Sequence, residues 1–162
     1  MQNRSLGSEL QSTMESVLRV HFVASHPARY SRKRLRDFVK NHLGPALKTS
    51  PYSINLKLMI NDDQRFNLPH WADTILSDPE TAQYVSGIAI HWYEDFVTPA
   101  HVLTLTHERH PDYFMLATEA SAGYLPLEHK PIPGDWARAE QYVKDMIVVV
   151  QYMRNQRSVF QI

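Results

Sequence analysis

Cysteine does not occur in this 162-residue chain, which removes disulfides, thiolate metal centres and cysteine nucleophiles from consideration. Neither charge sign is in excess, with seventeen basic and seventeen acidic residues, so no global field draws the chain to nucleic acid or to an anionic membrane. No hydrophobic run approaches the roughly 18 residues needed to span a bilayer. The N-terminal stretch MQNRSLGSELQSTMESVLRVHFVASHP has no basic n-region, and Arg19 and His21 interrupt its apolar patch, so it does not read as a signal peptide. Glycine is scarce, at five residues, and none builds a phosphate-cradling loop after a strand, which leaves a nucleotide-binding sheet with little support. Asn3-Arg4-Ser5 fits a glycosylation sequon and is read as a chance match. Three tryptophans, eight tyrosines and nine histidines are present, an inventory that serves an ordinary core as readily as a site.

Local patterns divide the remainder. Residues 1 to about 30 show no sustained period. Ser31 is placed to cap a helix with Leu35, Phe38, Val39 and His42 on one face and Gly44-Pro45 as its stop. Its other face carries Arg32, Lys33, Arg34, Arg36 and Lys40, for which a solvated surface is favoured over phosphate contacts. Ile54 to Ile60 reads as a strand ending at Asn61-Asp62-Asp63. A helix follows from Leu68-Pro69-His70-Trp71, with Trp71, Ile75 and Leu76 on one side, then a short turn opened by Asp78-Pro79-Glu80. Gly87 to Ile90 is a second strand, ending in His91-Trp92-Tyr93-Glu94-Asp95. Thr98-Pro99 caps a helix closed by Pro111, and Tyr113 to Ala117 is a third strand ending at Thr118-Glu119. Asp135 begins a last helix through Trp136, Ala139, Tyr142, Val143, Met146, Ile147 and Val150, although Met146 to Val150 fits the opening of a fourth strand equally well.

Roughly thirty residues separate Asp62 from His91 and His91 from Glu119, with one helical segment in each interval. That spacing predicts an α/β fold of parallel βα units, about three of the eight in a (β/α)8 TIM barrel, with an open doubly wound sheet as the alternative. In barrels the chemistry sits at the carboxyl ends of the strands, and each strand here ends in groups that donate protons, accept them or stack on a ring. One of Asp62 and Asp63 is expected to face the site, the other to pair with Arg65. His107, Glu108 and His110 have metal-ligand chemistry but lie near the far end of a helix, so no metal site is expected.

Several stretches, taken together and in order, resemble the glucosylceramidase (glucocerebrosidase) family of retaining glycosidases, glycoside hydrolase family 30. They are Arg36-Asp37-Phe38 with Leu43-Gly44-Pro45, Asp62-Asp63-Gln64-Arg65 with Leu68-Pro69-His70-Trp71, Asp78-Pro79-Glu80, Gly87 through Tyr93, Thr118-Glu119-Ala120 and Gly134-Asp135-Trp136. The resemblance implies that Glu119 is the catalytic nucleophile, that Tyr93 orients it, and that His91 and Trp92 line the substrate pocket, with a core role as the alternative for Trp92; Asp62 and Asp63 are substrate-binding candidates from their place at the first strand end. It further implies a glucosylceramide or related β-glucoside as substrate, double displacement without cofactor, and a lysosomal setting. A saposin-type activator protein and an anionic lipid surface are the implied partners.

The departures are as specific as the match. The family's acid/base is a glutamate following asparagine, and no Asn-Glu occurs in this chain. Residues 1–30 match poorly, 31–148 correspond to part of the barrel domain, and 149–162 diverge. The added β-domain has no counterpart, and Ser121 stands where many members carry cysteine. The chain is therefore expected to hold the nucleophile without its proton donor, to be inactive alone, and to be marginally stable with two unpaired sheet edges. The alternative is a non-catalytic product of the same lineage that binds lipid or protein.

Overall fold

Three apolar runs set the architecture, because strands covered by helices must be hydrophobic on both faces. In the computed structural model, which describes residues 17–19, 31–123, 128, 132–152 and 159–160, they lie side by side in parallel. The short strand β1 is Val17–Arg19, the three long ones are β2 (Lys57–Gln64), β3 (Val85–His91) and β4 (Phe114–Glu119), and β5 is Val159–Phe160. All pairings are parallel, in the order β1-β2-β3-β4-β5. The edges of β2 and β4 are thus partly covered by β1 and β5, which a three-strand reading had left open. Strands of two and three residues are too short to show the alternation that reveals a strand in sequence. Asn3-Arg4-Ser5 lies outside the described residues.

The helices are α1 (Arg32–Phe38), α2 (Gly44–Thr49), α3 (His70–Leu76), α4 (Pro79–Ala82), α5 (His101–Arg109) and α6 (Trp136–Tyr152). Leu58, Ile60, Ile88, Ile90 and Met115 of the sheet meet Leu35, Val39, Ile75, Leu103 and Val149 of the helices in one buried cluster. Met59, Ala89 and Leu116 form a smaller cluster. By strand alternation they point to the other face, the side that a closed barrel turns inward.

Ser31 caps α1 as expected, its Oγ accepting from Arg34 N at 3.3 Å. Gly44-Pro45 does not stop the helix, however. A wide π turn, Val39–Leu43, joins α1 to α2, and the Gly44 N–H reaches back to the Val39 carbonyl. The looser turn accommodates Pro45, which has no N–H and would clash with a carbonyl in an unbroken α-helix. Glycine is required at 44 by close approach, since a Cβ there would run into the Tyr84 ring. Only Leu35 and Val39 of the predicted apolar face are buried; Phe38 and His42 pack on each other at the surface. On the basic face Arg36 and Lys40 pair with Asp78, and Lys40 also reaches Glu80 at 2.7 Å.

The first long strand begins later than Ile54, which is exposed in a turn, and it does not end at Asn61. It continues through a bulge in which Asn61 and Asp62 take positive φ, 74° and 45°. Asparagine and aspartate tolerate that left-handed geometry better than most residues, and Asn61 Nδ2 secures it by donating to the Ala89 and Asp63 carbonyls, both at 3.0 Å. α5 starts at His101 with Ala100 as its cap, so Thr98-Pro99 precedes the helix. α6 begins after Asp135, whose Oδ1 accepts from Ala137 N at 3.0 Å, and runs without a break to Tyr152. Helix therefore prevails over strand at Met146 to Val150. Its rotation differs from the expected face: Val149 is buried, whereas Trp136, Val143, Ile147 and Val150 are exposed.

Candidate active site

Two bulges at the same level of neighbouring ladders bring the site together. Between β2 and β3, Asn61 pairs with Ala89 and Asp63 with Ile90, so Asp62 is the extra residue. Between β3 and β4, Ile90 pairs with Ala117 and His91 with Glu119, so Thr118 is the extra residue. A bulge bends its strand and re-aims a side chain. Here the two extra residues meet: Thr118 Oγ1 donates to Asp62 Oδ1 at 2.8 Å. The same shift aligns the last residue of β3, His91, with the last residue of β4, Glu119.

Each oxygen of Glu119 has a neighbour. The Tyr93 hydroxyl donates to Oε1 at 2.9 Å, and His91 Nε2 lies 3.6 Å from Oε2 and 3.2 Å from Asp62 Oδ1. As the Nε2–H tautomer, His91 donates to Asp62 Oδ1 and turns the same ring edge toward Glu119. Exposure is graded. The His91 and Asp62 side chains are 4% and 6% exposed, while that of Glu119 is 51% exposed. A carboxylate open to solvent thus takes a hydrogen bond from the half-buried Tyr93 hydroxyl and stands beside the buried His91–Asp62 pair, the arrangement a group acting on an incoming molecule needs.

Asp63 is not part of this cluster. Its Oδ1 accepts from Gln64 N at 2.7 Å and its Oδ2 from Asn67 Nδ2 at 3.1 Å, so it ties the turn after β2. Arg65 pairs with neither Asp62 nor Asp63 but with Asp95, at 2.7 Å. Trp92 borders the same cavity as Glu119, yet its ring is stacked on Tyr142 of α6 with centroids 4.7 Å apart, so that face is already occupied. Tyr142 also accepts from the Ala122 N–H at 3.0 Å, fastening the start of the loop after β4. At the far end of α5, His110 Nε2 pairs with Asp73 at 2.9 Å, and no metal-holding group of three or more ligands occurs among the described residues.

The profile of the Glycosyl hydrolase family 30 TIM-barrel domain matches residues 6–156. The chain belongs to glycosyl hydrolase family 30. Among family members of known sequence it is 66% identical to Putative glucosylceramidase 4 of Caenorhabditis elegans over 112 residues, 69% of this chain and 21% of that protein. With Lysosomal acid glucosylceramidase of Mus musculus it shares 43% over 124 residues, 76% of this chain and 24% of that protein. This family 30 chain therefore spans about a fifth to a quarter of the curated relatives it matches. The crystal structure of SrfJ from Salmonella typhimurium superposes with a TM-score of 0.69 at 18% identity, covering 96% of this chain and 35% of that one. At that identity the likeness shows the fold, a partial α/β barrel. In barrel enzymes active sites sit at the carboxyl ends of the strands, and Asp62, His91 and Glu119 stand at that end of β2, β3 and β4.

Sequence reasoning missed Thr118 and Asp95. Thr118 had a signal, since it directly precedes Glu119 at a strand end. Asp95 had none, because its contact with Arg65 joins elements far apart in the chain.

Proposed function

We propose that this chain supplies the nucleophilic half of a retaining, glucosylceramidase-like β-glucosidase. The observation that carries the reading is the clamped carboxylate: Tyr93 on one oxygen of Glu119, His91 beside the other, and solvent in front. In this reading Glu119 attacks the anomeric carbon as the bond to the leaving oxygen breaks, giving a glucosyl ester, and a nucleophile from solution then displaces the carboxylate with net retention, water doing so where a base takes its proton. Tyr93 and His91 orient the attacking group, and Asp62, braced by Thr118, orients His91. The substrate is a β-glucoside of the glucosylceramide class in a lysosomal setting, a reading supported by the name of the mouse relative.

Departure of a poor leaving group requires a proton from a second carboxyl about 5 to 5.5 Å from the first. The chain contains no Asn-Glu to supply it, so it acts only on aglycones that leave unaided, and only with nucleophiles that need no base. With 2,4-dinitrophenyl β-glucoside and azide the expected product is β-glucosyl azide, whereas methyl β-glucoside is left intact. Formation of the α-azide would refute the double displacement, and comparable cleavage of both glucosides would show that the chain holds its own acid.

A further inference from the structure

In the cavity that Trp92 and Glu119 also border, a second pair of carboxyl groups has no part in the proposed reaction. Asp95 lies in the loop after β3, two positions beyond Tyr93. Arg65 engages it from the turn after β2: Nη1 donates to Asp95 Oδ2, Nη2 to the Asp95 carbonyl and Nε to the Thr98 carbonyl, each at 2.7 Å. The guanidinium gives three of its N–H groups to these bonds and none to Asp95 Oδ1, which is buried and meets no N–H or O–H donor among the described residues. What shares the cavity with Asp95 instead is the carboxyl of Asp145, brought there by α6 and near enough to raise the Asp95 acid. Two carboxylates cannot bond to each other, but two carboxyls sharing one proton can.

We propose that Asp95 and Asp145 share a proton across the boundary between α6 and the β3–α5 loop, forming a clasp that is closed in acid and opens as the proton leaves. With one proton the pair carries a single negative charge, which Arg65 balances. Without it, an uncompensated charge remains in a mostly buried place. Besides Asp95 and Asp145, the charged or titratable groups lining that cavity are Arg65, His91 from β3 and Glu119 from β4; α5 contributes Leu103 alone. Burial, reinforced by Asp145 and opposed by Arg65, pushes the Asp95 acid from its ordinary 3.8 up to about 8, and burial raises Asp145 as well. The two titrate as a unit.

The sign follows from linkage. Unfolded aspartates release their protons near 3.8, whereas the folded pair keeps one until about 8. The stability contributed by the clasp is therefore complete below the unfolded value and is lost as pH rises through the folded one. Opening would also loosen the loop that carries Tyr93, which binds Glu119, and Trp92, which stacks on Tyr142. The clasp does not depend on the nucleophile reading, and a failure of either leaves the other standing.

Carboxyl carbon resonances of the 162-residue chain labelled with [4-13C]aspartate, followed from about pH 4 to about pH 9, test the proposal. One aspartate is expected to move with a midpoint near 8. That transition should vanish in Asp145→Asn, whose amide donates to Asp95 Oδ1 without a titrating proton. The melting temperature of the wild type should fall across the same range, and that of the variant should change less than half as much. Titration of every aspartate below about pH 5, or a midpoint near 8 that survives Asp145→Asn, would overturn the proposal. If the variant does not fold, the wild-type titration decides alone.

Discussion

Glu119→Gln is expected to lower the rate of first-turnover dinitrophenolate release from 2,4-dinitrophenyl β-glucoside by at least about a thousandfold, because an amide oxygen is a far weaker nucleophile than a carboxylate. The substitution is nearly isosteric, and the amide oxygen can still accept from the Tyr93 hydroxyl that now reaches Oε1. An unchanged circular dichroism spectrum and melting curve would show that the loss is chemical. Activated leaving groups make the comparison fair, since they depart with little need of a general acid. A loss smaller than about tenfold would mean that another group attacks.

The second large effect concerns stability. Arg65 is a buried cation, its side chain 6% exposed, that makes three charge-assisted bonds linking the end of β2 to the loop after β3. Arg65→Met keeps much of the volume but leaves the Thr98 and Asp95 carbonyls and one Asp95 oxygen without their donor, at a cost of about 3 to 5 kcal/mol. The exposed pair between Arg109 and Asp73 is a comparison of the same type, 2.6 Å long, with the Arg109 side chain 45% exposed. Arg109→Ala should cost no more than about 1 kcal/mol, because solvent screens the pair and ordering two mobile side chains offsets the attraction. Thermal denaturation of both variants separates the cases. Equal, small shifts would show that the Arg65 network does not brace the loop.

Legibility in sequence followed the range of the interactions. The middles of the three long strands were readable because Leu58, Ile60, Ile88, Ile90 and Met115 are apolar runs of strand length. Ser31 and Asp135 were readable as caps because a cap acts within three residues. Gly44-Pro45 was misread because its role comes from outside its own helix, in the ring of Tyr84. The same holds for Arg65: its partner Asp95 lies across two strand-end loops, while Asp62 and Asp63 were nearer in sequence. Of the site, Glu119, Tyr93 and His91 stood at legible strand ends. What sequence could not give was the pair of bulges that turns Asp62 inward and leaves Asp63 tying a turn, since a bulge shows only when two strands are in register.

The most direct test of the Glu119 assignment is to find where the sugar becomes attached. Treated with 2,4-dinitrophenyl 2-deoxy-2-fluoro-β-glucoside, digested and sequenced by mass spectrometry, the chain should carry the fluoroglucosyl group on Glu119. Attachment to any other side chain would contradict the account.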